Sequence, residues 1–243
     1  LDGVDCAVMV HPFSYDLVSH VWVGRRTLTA TFTGVPAHAS MQPYMGRNAL
    51  DAATLAYQAC GLLRQQMPPS DRLHAVLSDG GARASIIPET TTMQIYVRSL
   101  YTETLMDLSQ RVEDILQGAA LMTGTAVDAQ WDEHPMSLPV RNNETLARRW
   151  GATQASRGRD VLPAGTLPDS QAASTDFGNV SHLVPGIHPL VKIAPEGTAL
   201  HTTDFAAAAI SDQAFEGAFD AAVGLAQTIA DILNDPQLLT DAQ

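Results

Sequence analysis

The strongest constraint on this chain is an order of elements. Between residues 27 and 133 it reads strand, helix, strand, strand, helix, strand. "TLTATFTG" (27–34) sets β-branched residues at alternate positions and ends on glycine, the pattern of a strand. "GRNALDAATLAYQACGLLRQQM" (46–67) carries Ala49, Ala52, Ala53, Ala56, Ala59 and Leu63 at helical spacing, and Pro68 and Pro69 stop it. "RLHAVLSDGG" (72–81) is a strand closed by a Gly-Gly turn. "ETTTMQIYVRSL" (89–100) alternates Met93, Ile95 and Val97 with Gln94, Tyr96 and Arg98, which predicts a half-buried strand. "TETLMDLSQRVEDILQGAALMTG" (102–124) offers Thr102 as N-cap, an apolar stripe from Leu105 to Ala119, and Gly124 as the stop. "AVDAQWDE" (126–133) alternates again. The β-α-β-β-α-β order predicts a ferredoxin-like α+β domain over 25–135, a four-stranded antiparallel sheet with two helices on one face.

The flanks read differently. "CAVMVH" (6–11) is a short buried strand ending at Pro12, and "IHPLVKIA" (187–194) is a second strand. Helices are expected over 143–157 and 206–234, and loops over the Gly-, Pro-, Ser- and Asp-rich 158–186. Residues 1–24 and 136–243 thus look like parts of one α/β domain, with 25–135 inserted. Two clear strands make a poor sheet, so this α/β domain is expected to be incomplete. No start methionine opens the chain, so residues upstream are expected to have been removed, and "LDGVDCAVMVHP" carries no basic n-region, so it is not read as a signal peptide.

Charge and cysteine content narrow the partners. Twenty-six acidic against fourteen basic residues give a net charge of −12, which disfavours nucleic acid and anionic membranes. No run of apolar residues is long enough to span a bilayer. Cys6 and Cys60 lack CxxC spacing and read as free thiols of a reducing compartment, so a cytoplasmic location is expected. There is no GxSxG, P-loop, GxGxxG or HExxH.

The candidates for chemistry are therefore histidines and one polar loop. His11 ends the first strand, where ligands gather in α/β proteins, or it is a strand-end histidine bonded to backbone. His201, in "APEGTALHTTDFA", precedes the last helix, and Asp204 three residues on could share its face and orient it. Alternatively Thr203 or Asp204 caps that helix and His201 is a bystander. His38 sits between Ala37 and Ala39, small residues that would present it toward a cleft; the alternative is a solvated turn histidine. "ASTDFGNVS" (173–181) could line a pocket, or Asp176 could do no more than close an Asx-turn.

In order, "FTGVPAHASMQPYMGRNALDA", "SDGGARASIIPETTTMQIYVR", "STDFGNVS" and "HTTDFA" resemble the aminoacylase and hippurate-hydrolase family of dinuclear metallopeptidases, in particular its amidohydrolase branch. The strongest piece is G-x-x-A-H-A-x-x-x-P-x-x-G-x-N-A, residues 34–49. The resemblance implies an α/β catalytic domain holding two divalent metal ions, zinc or manganese, with an inserted ferredoxin-like lid that mediates homodimerisation. It implies His11 and His201 as metal ligands, with Asp176 and Asp204 behind them. It implies His38 as the donor that stabilises an oxyanion, often in the site of the partner protomer, and Arg98, Ser85, Gly178 and Asn179 as substrate contacts. The implied substrate is an N-acyl amino acid, a dipeptide or an aminobenzoyl-glutamate type of amide, cleaved next to a free carboxylate. Two departures accompany it. Ser85 in "ASIIP" stands where the family has Asn, and the sequence holds no Glu-Glu pair and no HxD. The chain is accordingly expected to be a C-terminal part that alone is inactive and binds metal weakly. The competing expectations are a non-catalytic dimerisation or amino-acid-binding module and, third, a ferredoxin-like regulatory domain.

Overall fold

The chain enters as β1 (Ala7–Val8) and β2 (His11–Phe13). It continues through β3 (Gly24–Thr33), α1 (Ala49–Leu63), β4 (Arg72–Asp79), β5 (Thr90–Ser99), α2 (Thr102–Thr123) and β6 (Ala126–Trp131). It then runs through α3 (Glu144–Ser156), α4 (Phe177–Ser181), β7 (Gly186–Ile187), β8 (Leu190–Lys192), α5 (Thr203–Ala208), α6 (Asp212–Asn234) and α7 (Pro236–Ala242). The computed structural model describes residues 1–243, the side chain of Ser170 excepted. The contacts divide the chain into an outer unit, Leu1–Trp22 with Pro139–Gln243, and an inner unit, Val23–Leu138.

The inner unit is one antiparallel sheet in the order β4-β5-β3-β6. Alternation decides its faces. Leu28, Ala30 and Phe32 of β3, Met93, Ile95 and Val97 of β5, and Leu73 of β4 are buried with one side of α1 and α2. α1 brings small residues, Ala49, Ala52, Ala53 and Ala56, and α2 brings Leu105, Leu108, Val112 and Leu116. The sheet's other face shows Thr27, Thr29, His74 and Gln94, all exposed. A sheet apolar on one side only needs one layer of helices, and it has one. Asn48 caps α1, its Oδ1 accepting from the N–H groups of Leu50 and Asp51. α2 departs from expectation at its start. Thr102 is already helical, and Tyr101 holds the cap position without a side-chain bond. Gly124 ends α2 at φ 65°, where its N–H closes the last turn on Ala120 and Leu121.

The outer unit is built from short parallel pairs, β1 with β7 and β2 with β8. The expected strand over 6–11 is interrupted, and Pro12 lies inside β2 rather than ending it. The reason is the phase of the ladder. Ala7, Met9 and His11 donate their N–H groups to the carbonyls of Pro185, Ile187 and Pro189. Pro12 falls on the opposite phase, where no ladder bond is lost. The region 158–186, read as loops, contains the short helix α4. The single helix expected over 206–234 is two. Thr202 caps α5 through Phe205 N–H, and Ser211 caps α6 through Ala214 N–H. Leu146 and Trp150 of α3, Ile187, Val191 and Ile193, and Ala214, Ala221 and Ile232 of α6 form the core. Arg159 ties the pieces together. It donates to Asp16 at 2.9 Å, Asp220 at 3.0 Å and the Lys192 carbonyl at 2.9 Å.

Candidate functional site

In the inner unit, the His38 loop is held by backbone on both sides. Gly34 starts it, because a Cβ there would sit 1.9 Å from the Arg47 carbonyl oxygen. That close approach lets Val35 and Arg47 exchange backbone bonds of 2.8 and 2.9 Å. Further on, Ile87 N–H donates to Ala37 O at 2.9 Å and Ala39 N–H donates to Ser85 O at 3.0 Å. His38 is thus pinned opposite Ile86, and the structure brings Ser85 beside it. Both side chains are exposed. A cavity of about 390 Å³ adjoins them, lined in part by Ala39, Arg83, Ile86 and Pro88.

The His38 ring has a defined tautomer. Its Nδ1 accepts from the N–H groups of Ser40 and Met41, both at 3.3 Å. A backbone N–H can only donate, so Nδ1 holds a lone pair and the neutral ring carries its proton on Nε2. The ring therefore offers an N–H donor outward. The sequence placed His38 on the turn but held no signal for this, since it depends on where the N–H groups of residues 40 and 41 point.

Arg98 lies elsewhere. Thr33 pairs with Thr90 at one end of the β3–β5 ladder, next to the His38 loop, and Arg98 pairs with Arg25 at the other. Eight residues of strand separate Thr90 from Arg98, about 26 Å. The Arg98 guanidinium lies 4.7 Å from the centre of the Tyr96 ring, and its Nε donates to the Tyr96 hydroxyl. The structure does not bring Arg98 together with His38 and Ser85 in one inner unit.

In the outer unit, His11 opens β2 and its Nδ1 donates to the Pro12 carbonyl at 2.8 Å. This leaves Nε2 as the acceptor, the form a ligand histidine takes. His188 was not singled out from the sequence, yet it is the most enclosed histidine here, at 0 % exposure. It stacks on Trp22 with ring centres 4.3 Å apart and planes 4° apart, meets Phe177 edge-on, and lies 6.1 Å from the His11 ring. Among the described residues, neither of its ring nitrogens has a hydrogen-bond partner. Burial, then the nearby His11, push its pKa down to about 4, against an opposing pull from Asp176. The missed signal was a repeat: "VHP" and "IHP" fall in the two segments that form the parallel pairs, His11 opening β2 and His188 lying between β7 and β8.

The remaining residues are spread out. His201 is exposed, in left-handed backbone at φ 61°. No hydrogen bond joins it to Asp204 among the described residues. Thr202 caps α5, so neither Thr203 nor Asp204 does. The turn into α4 is closed by Thr175, whose hydroxyl accepts from Phe177 N–H at 3.3 Å, so Asp176 makes no Asx-turn. Gly178 is buried in α4 and its carbonyl accepts from Ser181; Asn179 N–H donates to Asp176 O. No group of three His, Cys, Asp or Glu side chains that could hold a metal ion occurs among the described residues. His11 and His201 offer imidazoles of the right chemistry, but these side chains do not complete a two-metal centre.

Comparison with known proteins identifies the class. Residues 23–122 match the model of the peptidase dimerisation domain, which falls within the inner unit. The Xaa-Arg dipeptidase of Mus musculus is 34% identical over 238 residues, 98% of this chain and 55% of the mouse protein. One of the polypeptides of the Escherichia coli K12 p-aminobenzoyl-glutamate hydrolase is 26% identical over 294 residues, all of this chain and 61% of that protein. A putative aminohydrolase from methicillin-resistant Staphylococcus aureus shares the fold, with TM-score 0.71 at 18% identity over 100% of this chain and 60% of its own. The chain spans about half the length of the curated relatives it matches. Its fold and its relatives are those of amide-bond hydrolases with mixed α/β structure. The chain is thus similar over nearly its whole length to hydrolases of this kind, and residues 23–122 match the dimerisation domain of peptidases.

Proposed function

We propose that a protein of the relatives' full length carrying this chain is a metal-dependent amidohydrolase that cleaves an amide next to a free carboxylate. N-acyl amino acids, dipeptides and aminobenzoyl-glutamate-type amides are the substrate class. The observation that carries this is the His38 tautomer. Attack on an amide carbonyl moves negative charge onto oxygen, and a positioned N–H donor stabilises that charge most where it develops. His38 Nε2–H is such a donor, held by two backbone groups that fix the ring. Arg98 suits the carboxylate, because its fork binds two oxygens at once. Ser85, Gly178 and Asn179 are further substrate contacts in this reading, and Asp176 and Asp204 orient the ligand histidines.

The separation of His38 from Arg98 supports a homodimer. One small substrate cannot span about 26 Å of strand. If both residues serve one substrate, they come from different copies of the inner unit, acting as a ferredoxin-like lid. His11 and His201 are the ligands this chain would give to a zinc or manganese pair. With no group of three such donors among the described residues, the 243-residue chain alone is expected to bind metal weakly and not to turn over. A cytoplasmic setting suits its two free thiols. That incomplete donor set also favours a second reading, a dimerisation or amino-acid-binding module without catalysis.

The two readings separate on His38→Ala in the full-length protein, assayed with aminobenzoyl-glutamate, N-acetyl amino acids and dipeptides. Loss of one oxyanion donor lowers kcat by about 10²–10³ with little change in KM. An unchanged kcat removes His38 from the chemistry. No hydrolysis by the unaltered protein, with zinc or manganese supplied, leaves the binding module.

A further inference from the structure

The open face of the inner sheet carries three arginines in one row. Arg72 of β4 lies opposite Arg98 of β5, and Arg98 lies opposite Arg25 of β3. Opposed residues of an antiparallel pair point to the same face, with Cβ atoms about 5 Å apart. The row therefore spans about 10 Å of sheet. Its face is the one turned from the helices, because the next residues along, Leu73 and Val97, are buried in the helix-packed core. Arg26 shows the contrast. It falls on the helix side, pairs with Asp132 at 2.7 Å and lies over the Trp131 ring.

None of the three has such a partner. Among the described residues, no carboxylate lies within ion-pair distance of Arg25, Arg72 or Arg98. Arg72 donates to the carbonyls of Pro69 and Asp71. Arg98 donates its Nε to the Tyr96 hydroxyl, and its terminal nitrogens make no bond among the described residues. The Arg25 side chain makes none among them either. Like charges set directly opposite destabilise a sheet. This chain has 26 acidic residues with which to neutralise them, and does not. The next rows of the same face, His74, Tyr96 and Thr27 among them, line a hollow of about 400 Å³ in which Glu133 is the one carboxylate.

We propose that Arg25, Arg98 and Arg72 form a binding row for a small dicarboxylate, so that the amino acid on the carboxyl side of the cleaved amide is acidic, of the glutamate or aspartate type. The proposal rests on the reading above for Arg98 and adds its two neighbours. Arg98 takes one carboxylate through its terminal nitrogens. A second carboxylate a few carbons away reaches an arginine one strand across, which a monocarboxylate cannot do. A substrate ending in arginine would bring a fourth cation to the row and is disfavoured.

The test is equilibrium binding to the 243-residue chain, which needs no catalysis. Glutarate, acetate and sulfate are titrated at low ionic strength and followed by calorimetry. Glutarate is expected to bind more tightly than acetate or sulfate. Arg25→Gln with Arg72→Gln together should weaken it about tenfold or more while acetate changes little. Arg72→Lys keeps the charge but loses the fork, and should recover only part. Circular dichroism and the thermal midpoint report that each variant folds. Glutarate binding no better than acetate, or binding indifferent to the Gln pair, overturns the proposal. A protein that binds glutarate but whose hydrolysis ignores His38→Ala keeps the row and loses the proposed oxyanion role.

Discussion

The inner and outer units solve the same packing problem with opposite means. The inner unit is one stretch of chain whose strands are six to ten residues long and pair with neighbours by register. Its faces are set by alternation, and its helices cover one of them. The outer unit is two stretches, and its paired strands are two or three residues long. Parallel pairing needs a crossover, and here more than 170 residues separate partners such as Ala7 and Gly186. What the short strands lack, polar bonds partly supply. Arg159 reaches α6, β8 and the loop after β2 at once, and Asp16 Oδ1 accepts Lys192 N–H at 2.7 Å. A chain can thus hold one unit by apolar alternation and the other by a charged clamp.

That contrast can be broken, and the largest effect is expected in the inner core. Phe32 is fully buried between sheet and helices. Phe32→Ala should cost about 3–5 kcal/mol in denaturant unfolding. If the cores are independent, calorimetry shows the loss in one transition and leaves the outer unit's alone; a joint loss denies the contrast. Next is the clamp. Arg159→Ala takes the ion-pair partner from half-buried Asp16, leaves Asp220 with Arg157 alone, and should cost about 2–3 kcal/mol, all in the outer unit.

Acid sharpens the same point. Burial opposes ionisation of Asp220, but hydrogen bonds from Arg159 and Arg157, with their charges, hold its pKa below the usual carboxylate value. As pH falls through about 3.9, the unfolded state takes up its proton first. The stabilisation is therefore complete above that pH and lost as pH drops toward the lower folded value. The outer unit's midpoint should fall with acid in that window, and Arg159→Ala should flatten the slope. The smallest effect returns to the inner unit. Gly124 takes left-handed backbone at the end of α2, and Gly124→Ala should lower stability by about 1 kcal/mol. No loss would mean that the helix end frays before the unit unfolds.

The inner elements were legible in sequence because their signal is local. Periods of two and 3.6 lie within ten or twenty residues, and glycines and prolines mark the ends. Helix starts were read less well. Thr102, Thr203 and Asp204 are all poor guides beside the true cap positions, since a cap depends on which backbone N–H groups fall within reach. His38 was legible as a residue, from the small alanines around it, but not as a donor. The outer histidines were harder. His11 was placed by its Pro12, while His188 was passed over because its burial against Trp22 joins positions 166 residues apart in the chain.

By itself, then, the sequence determined the order of elements, the apolar face of each inner strand, the acidic surface and the turn that carries His38. These follow from side-chain type and near neighbours. Only the tertiary structure decided the His38 tautomer, the distance from it to Arg98, the seclusion of His188 and the meeting of Arg25, Arg98 and Arg72 on one face. Each of these depends on register or packing between segments far apart in the chain, and strand register has no local code beyond which face is buried.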